Sequence, residues 1–374
     1  HAQQKQMKIG NSHMPKILLA GGGSGGHVAP AIAIAEVLAE RSYDVLIAHS
    51  TRAIDTKMIV KTSFASTTIP AKPLSFNPLK FLAFCSGFLR SISETKRLIR
   101  TNGIECVVAT GGFVAAPALF AAKAVGVPTI LLNFDNPPGK ANSLARRWAD
   151  TVLSTVAWSG ANAKRVPPPL RACTISKNDQ RSNKLLLGLD PNKLTLLVTG
   201  ASQGARSINA LIPKLAATSP HCFLNWQILH LAGPDNATEV EKAYQESSVA
   251  YMVLAFTNEM GKVWGAADLA ITRGGANTIA EIAFNAVPSI VLPYPYHNDD
   301  HQRTNAQPLA AYGGILIKTD HKNLDENIRD AGQALLSLLS DHHLRFEMQQ
   351  SLALEAPING AAVIADDIIE KLHS

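Results

Sequence analysis

The segment Gly21-Gly22-Gly23-Ser24-Gly25-Gly26-His27 sets five glycines and a serine directly before a histidine. It follows the apolar run Lys16–Ala20, so it reads as a strand-to-helix turn. Bare amides at a helix N-terminus suit a diphosphate or let an acceptor approach closely. The GxGxxG spacing also occurs in dinucleotide sites, but those carry an acid near the end of the second strand. Here that strand ends Ala48-His49-Ser50-Thr51-Arg52, which disfavours nicotinamide chemistry. His27 opens the helix that follows. Its ring can enter a cleft and take a proton at neutral pH, or it can simply bond local backbone.

Further turns of the same kind recur along the chain. Thr110-Gly111-Gly112-Phe113 follows an apolar run and is either a ligand-facing loop or a plain connection. Asn133-Phe134-Asp135-Asn136-Pro137 ends another strand, and Asn136 either bonds a sugar or phosphate or caps the turn before the proline. In Thr272-Arg273-Gly274-Gly275-Ala276-Asn277-Thr278-Ile279-Ala280-Glu281, small residues expose helix N-terminal amides to an anion. Glu281 lies in the second turn, where a carboxylate can accept both hydroxyls of a ribose or merely offset the helix dipole. Arg273 can pair with a phosphate or with Glu281. The segment His297 to Asn305 is read as an irregular, unusually polar loop. A metal site from His297, Asp299 and His301 is conceivable there, but binding of sugar hydroxyls by His301 and Gln302 is more economical.

These turns need parallel sheets to hold them. Short apolar runs recur at Lys16–Ala20, Val45–His49, Cys106–Thr110, Thr129–Leu132, Thr151–Ser154, Leu194–Thr199, Gln227–Leu231, Tyr251–Ala255, Asp268–Thr272 and Ser289–Pro293. Between them, Pro30–Glu40, Ala115–Val125, Ile208–Ala217 and Asn277–Asn285 have helical spacing. The first strand of each half ends alike, because Leu18 to His27 can be laid over Leu197 to Arg206 at an offset of 179 residues. Two Rossmann-like domains facing a shared cleft follow, with ligands expected at the C-terminal ends of the strands. Val166-Pro167-Pro168-Pro169-Leu170-Arg171 is too rich in proline for helix or central strand and is the expected hinge. The domains are placed at 15–171 and 172–374, and the helical stretch Asn359–His373 could pack on either. Residues 1–14 read as an expression tag.

Composition sets the class. With 374 residues, 46% hydrophobic and 17% charged, the chain suits two globular α/β domains. The net charge of +6 contains no Lys/Arg block, which favours anionic small molecules or an acidic membrane surface over nucleic acid. Four scattered cysteines form no CxxC pair and suit a reducing cytosol. No transmembrane span or signal peptide is expected.

Taken together, GGGSGGH at 21–27, TGGFVAAP at 110–117, Asn136, GASQGAR at 200–206, RGGANTIAEI at 273–282, and His301-Gln302 with Asn305 closely resemble the MurG family of GT-B glycosyltransferases. The resemblance spans Pro15 to about Ile317. It implies transfer of N-acetylglucosamine (GlcNAc) from UDP-GlcNAc to the 4-hydroxyl of the muramoyl sugar in undecaprenyl-diphospho-MurNAc-pentapeptide, with inversion, turning lipid I into lipid II. It further implies that Ser202, Gln203 and the Ala276, Asn277 and Thr278 amides receive the donor phosphates, that Glu281 takes the ribose, and that the backbone at Thr257 reads the uracil. Gln302 and His301 would hold the donor sugar, with Asn305 nearby, and Arg171 matches the interdomain arginine. Ser24, Gly25 and Gly26 would lie near the acceptor diphosphate or the transferred sugar. His27 matches the proposed general base. With no DxD motif, the leaving group is expected to be stabilised by helix N-termini and Arg, without metal or other cofactor.

Three segments depart from the family pattern: Asn133-Phe134-Asp135-Asn136 stands for HEQN, Pro167 to Arg171 for a GNPVR-like segment, and His301-Gln302 for QQ. A polyprenyl acceptor implies work at the cytoplasmic face of the bacterial plasma membrane. The uncharged Phe81–Leu89, between Lys80 and Arg90 and followed by Lys96, Arg97 and Arg100, is either a membrane-dipping surface or a buried helix with a basic outer face. Rival readings are a diacylglycerol-directed GT-B transferase, a UDP-GlcNAc 2-epimerase and a non-catalytic UDP-sugar binder.

Overall fold

The structure is a computed structural model that describes residues 14–374 except 24, 74–77, 159, 161, 201–203 and 297–299. Seven parallel strands form the first sheet: β1 Lys16–Gly21, β2 Asp44–His49, β3 Ala65–Thr68, β4 Ile104–Gly111, β5 Thr129–Asn133, β6 Thr151–Ser154 and β7 Ala163–Arg165. Their order is β3-β2-β1-β4-β5-β6-β7. Six more, β8 Leu194–Thr199, β9 Trp226–Leu231, β10 Ala250–Leu254, β11 Leu269–Thr272, β12 Ser289–Val291 and β13 Ile315–Ile317, form the second in the order β10-β9-β8-β11-β12-β13. β1 and β8 are thus equivalent. Each lies where the strand order reverses, the place at which open parallel sheets open a crevice for ligands.

Both faces of each sheet are covered, which is why its strands read as continuous apolar runs. Ile17 and Leu19 enter one core cluster and Leu18 and Ala20 another, as the two-residue alternation of a strand requires. Leu196 and Val198 are likewise separated from Leu197 in the second domain.

Five helices of the first domain matter below: α1 Gly25–Glu40, α2 Ala53–Ile59, α3 Pro78–Asn102, α4 Ala115–Ala124 and α5 Lys140–Ala145. The helix Gly360–His373 returns to pack on α1, burying Ile364, Ala365 and Ile368 in the first domain's core. Its cap, Asn359, holds the chain crossing between the domains: Oδ1 accepts from Leu170 N at 2.9 Å and Nδ2 donates to Leu170 O at 2.8 Å.

Three strands go beyond the sequence reading, namely β3, β7 and β13, each at a sheet edge. The segment after β12 also differs from the expected loop, because His301–Ala311 is a helix. Helix α3 runs for 25 residues through the uncharged stretch. Among the described residues no helix is long and apolar enough to cross a membrane. All four cysteines are free, and burial pushes the Cys106 thiol up to about 12.

Candidate active site

His27 sits in the first turn of α1, and two residues from other loops lock it there. Thr110 Oγ1 donates to the His27 carbonyl at 2.8 Å, tying the end of β4 to the helix start. The ring lies against Gly111 and Gly112, whose φ angles are +110° and +75°. A Cβ on Gly111 would stand 2.7 Å from His27 Nδ1, and one on Gly112 only 1.8 Å from the Gly22 carbonyl oxygen. Both glycines are therefore demanded by close approach as well as by backbone conformation. The Thr110–Phe113 turn is a seat for this imidazole rather than a plain connection. Burial holds the imidazole below its ordinary 6.5, opposed by the carboxylates of Asp135 and Asp55. Burial thus favours the uncharged ring, the form able to accept a proton.

The preceding glycines answer mostly to packing. A Cβ on Gly21 would meet Thr110 Oγ1 at 1.9 Å, one on Gly22 Ser50 N at 2.6 Å, and one on Gly23 the Phe113 ring at 2.4 Å. Asp55, at the start of α2, accepts from Gly23 N at 2.6 Å and from Ser50 Oγ at 2.5 Å, while Arg52 donates to the Gly23 carbonyl at 2.5 Å. Gly25 and Gly26 stand at the start of α1. Ser24 lies outside the described residues. Asn136, in the loop after β5, is half-buried.

In the second domain, the helix Ala276–Asn285 begins at Gly275 with no side-chain cap, so the Ala276, Asn277 and Thr278 amides are left uncovered. The helix Arg206–Thr218 also starts uncapped, after Ala205. Between these helix starts opens a cavity of about 940 Å³, whose walls include Gly204, Arg206, Gly275, Tyr294, Gln302 and Lys322. Two helix starts border this space at Arg206 and Gly275, and their partial charges favour an anion there. Ser202 and Gln203, expected at this place, lie outside the described residues, as do His297 and Asp299.

Glu281, one and a half turns along the helix, receives the Trp264 indole N–H at 2.8 Å. Burial raises its carboxyl to about 7, against the pull of that bond and of the Arg171 charge. Arg171 donates from Nη2 to Cys173 Sγ at 2.8 Å, and its Nε is shielded from solvent without a partner. The Arg171 segment is clamped to the same helix: Asn285 Nδ2 donates to Thr174 O at 3.0 Å and Ser176 N donates to Asn285 Oδ1 at 3.0 Å. Thr257 is half-buried, with its hydroxyl accepting from Glu259 N at 3.0 Å.

Of the two expected partners of Arg273, Glu281 is not the one it meets. Its guanidinium is paired with Asp320 at 2.8 Å and donates to the Leu292 and Pro293 carbonyls and, at 2.9 Å, to Ser207 Oγ. It does not bond Glu281; it lines the cavity, and these bonds hold it in the wall. Gln302 is also partly committed, since its Oε1 accepts from Gly274 N at 3.2 Å and Tyr294 N at 2.9 Å. Asn305, one turn on, donates to Gly274 O at 3.3 Å. A sugar hydroxyl can therefore reach only the Gln302 amide nitrogen. His301 stands at the start of this helix.

The two domains meet around these groups. Ala172 N donates to Glu36 of α1 at 2.8 Å, and Lys61 lies 4.1 Å over the Phe256 ring. Trp264, Asn285, Asp320 and Asp55 hold the residues described above and carry no signal in the sequence, because each acts through a partner remote along the chain. Among the described residues no three His, Cys, Asp or Glu side chains gather as a metal site needs.

Comparison with known proteins agrees with this geometry. Residues 17–154 match the glycosyltransferase family 28 N-terminal domain and residues 195–362 the family 28 C-terminal domain. A Streptomyces coelicolor protein named UDP-N-acetylglucosamine--N-acetylmuramyl-(pentapeptide) pyrophosphoryl-undecaprenol N-acetylglucosamine transferase is 34% identical over 345 residues, covering 90% of this chain and 93% of its own. A protein of the same name from Acidothermus cellulolyticus is 35% identical over 352 residues, covering 89% and 91%. The crystal structure of Acinetobacter baumannii MurG has the same fold, with a TM-score of 0.74 at 24% identity over 96% of this chain and 99% of that one. The chain belongs to the UDP-N-acetylglucosamine--N-acetylmuramyl-(pentapeptide) pyrophosphoryl-undecaprenol N-acetylglucosamine transferase family, a GT-B glycosyltransferase family.

Proposed function

We propose that His27 is the general base of a transfer of GlcNAc from UDP-GlcNAc to the 4-hydroxyl of the muramoyl sugar in undecaprenyl-diphospho-MurNAc-pentapeptide, forming lipid II. The observation that carries this reading is the imidazole seated on Gly111 and Gly112, in a chain whose second domain offers uncapped helix N-termini to an anion. His27 removes the proton as the hydroxyl oxygen attacks C1 of the donor sugar from the face opposite UDP. The C1–O bond to the diphosphate breaks and the anomeric centre inverts. Charge growing on the departing UDP is met by the helix starts at Ala276 and Arg206, groups oriented before the reaction begins. Glu281 accepts from the ribose hydroxyls. We assign no metal to these steps, and turnover in EDTA is the expected result.

An acceptor with a polyprenyl tail is met at a membrane, here the cytoplasmic face of the plasma membrane. The exposed apolar residues of α3 supply a surface for it: Leu82 is 66% and Leu89 68% exposed, with Arg90 beside them and Arg100 at the far end. Phe88, by contrast, packs on the core. Apolar side chains entering the interface below cationic neighbours suit an anionic bilayer.

The decisive experiment is transfer of labelled GlcNAc to a lipid I analogue in EDTA, with His27→Ala and Glu281→Ala beside the parent. Product with the parent, retained UDP binding without turnover in His27→Ala, and weakened UDP binding in Glu281→Ala are expected. Turnover of UDP-GlcNAc without acceptor would point to the epimerase, and product only with diacylglycerol to the other lipid-directed transferase.

A further inference from the structure

Two polar atoms beside Gly111 are shielded from solvent and have no hydrogen-bond partner: His27 Nδ1 and Asn142 Oδ1. A Cβ built on Gly111 would stand 2.7 Å from the first and 3.4 Å from the second, so the two lie within about 6 Å of each other on one side of that glycine. Buried polar groups are nearly always bonded, and these two orphans are complementary when the imidazole carries its proton on Nδ1.

The orientation of Asn142 is not arbitrary. Its Nδ2 donates to the Leu132 carbonyl at 3.2 Å and to Asn133 Oδ1 at 3.2 Å. A backbone carbonyl can only accept, which fixes the amide nitrogen on that side and leaves Oδ1 for the other. Asn133 is fixed in the same way, since its Nδ2 donates to the Asp135 carbonyl at 3.0 Å and to Ser154 Oγ at 3.2 Å. A relay of buried amides thus runs from β6 through β5 to α5 and ends in a carbonyl oxygen at the histidine.

We propose that Asn142 is a positioning residue for the transfer: its side-chain oxygen accepts from His27 Nδ1–H, fixing the tautomer and ring plane so that Nε2 is the nitrogen offered to the acceptor hydroxyl. The inference rests on His27 being the base. Hydrogen bonds of this kind are often long before substrate binds and tighten as the cleft closes. The charged groups facing the ring are Asp55 from α2 and Asp135 from the loop after β5, and neither bonds Nδ1 in this structure.

The test compares Asn142→Leu and Asn142→Asp in the full chain, by kcat and KM across pH and by 15N NMR of the His27 imidazole. An acceptor on Nδ1–H favours the imidazolium. Asn142→Leu should lower kcat on the order of 10²-fold with KM for UDP-GlcNAc unchanged, move the acid limb of the kcat profile to lower pH, and give a mixture of imidazole tautomers. Asn142→Asp keeps an acceptor and adds charge, so it should retain more activity and move the acid limb to higher pH. Parent-like kcat and acid limb in both variants, while His27→Ala is inactive, would overturn the role of Asn142 alone. An active His27→Ala would instead remove the reading of His27 on which it rests. If Asn142→Leu fails to fold, Asn142→Asp decides through the direction of its limb: an unmoved limb sinks the proposal.

Discussion

The Trp264 indole donates a 2.8 Å hydrogen bond to the Glu281 carboxylate, and burial still lifts Glu281 to about 7. In the proposed ribose-binding role, the carboxylate accepts both hydroxyls when it is ionised. UDP affinity should therefore be full above about pH 8 and fall through 7, roughly tenfold weaker at pH 6. Trp264→Phe removes a bond that favours the ionised form, so the midpoint should move upward. Calorimetric titration of UDP from pH 5.5 to 8.5 checks both, and a flat profile would contradict them.

The same shift has a consequence for stability. The folded carboxyl holds its proton more tightly than the unfolded one, whose ordinary value is 4.5. Its relative contribution is fully present below about pH 4.5 and is lost as pH rises to about 7. Glu281→Gln cannot ionise, so its stability relative to the parent should increase over that window. Urea unfolding at pH 4.5 and pH 8 measures the difference.

Gly111→Ala tests the seat of the imidazole. Its Cβ would stand 2.7 Å from His27 Nδ1 at a φ of +110°, so either the ring or the turn must move. A displacement near 1 Å is expected to lower kcat on the order of 10²-fold, and the strained backbone to cost about 1–3 kcal/mol of stability. UDP affinity should stay at the parental level because the proposed donor site belongs to the other domain. Unchanged kcat would show that the ring is not held by this turn.

The sequence is informative wherever a residue's role depends on its neighbours in the chain. Central strands such as Lys16–Gly21 and Leu194–Thr199 are buried on both faces and so announce themselves as apolar runs. The edge strands Ala65–Thr68 and Ala163–Arg165 are short and largely polar, because no second strand covers them and little demands apolar side chains. Ile315–Ile317 is apolar but only three residues long. The glycine turns were legible for the same local reason, whereas the partners that decide Arg273 and Gln302 were not. Asp320 lies 47 residues beyond Arg273, and no spacing rule links them. Polar side chains at 301–305 read as a loop, yet they form the first turn of a helix whose buried residues are Ala306 and Leu309.

Arg273 and Asp320 form an ion pair with side chains only 9% and 1% exposed. Removing one partner of such a pair leaves a buried charge and typically costs 3–5 kcal/mol. Asp320→Ala should therefore destabilise the second domain by about that amount in urea unfolding. The competing reading, Arg273 as a phosphate ligand, predicts that Arg273→Met weakens UDP binding in a protein of parental stability. The structure predicts the reverse order: loss of stability first, with UDP binding falling only as the cavity wall loosens.

The surface of α3 gives the last prediction. Leu82 and Leu89 lie seven residues apart, two helical turns, and so emerge on one side of the helix. Both are exposed, with Arg90 and Arg100 able to meet anionic headgroups, while Phe88 is tied to the core and is the wrong residue to replace. Leu82→Asp with Leu89→Asp should abolish flotation with vesicles containing anionic lipid and leave UDP affinity intact. For the parent, binding should weaken as salt rises, since headgroup attraction is screened over about 10 Å at 0.1 M ionic strength. Flotation of the double variant at the parental level would show that the chain reaches its lipid acceptor through another surface.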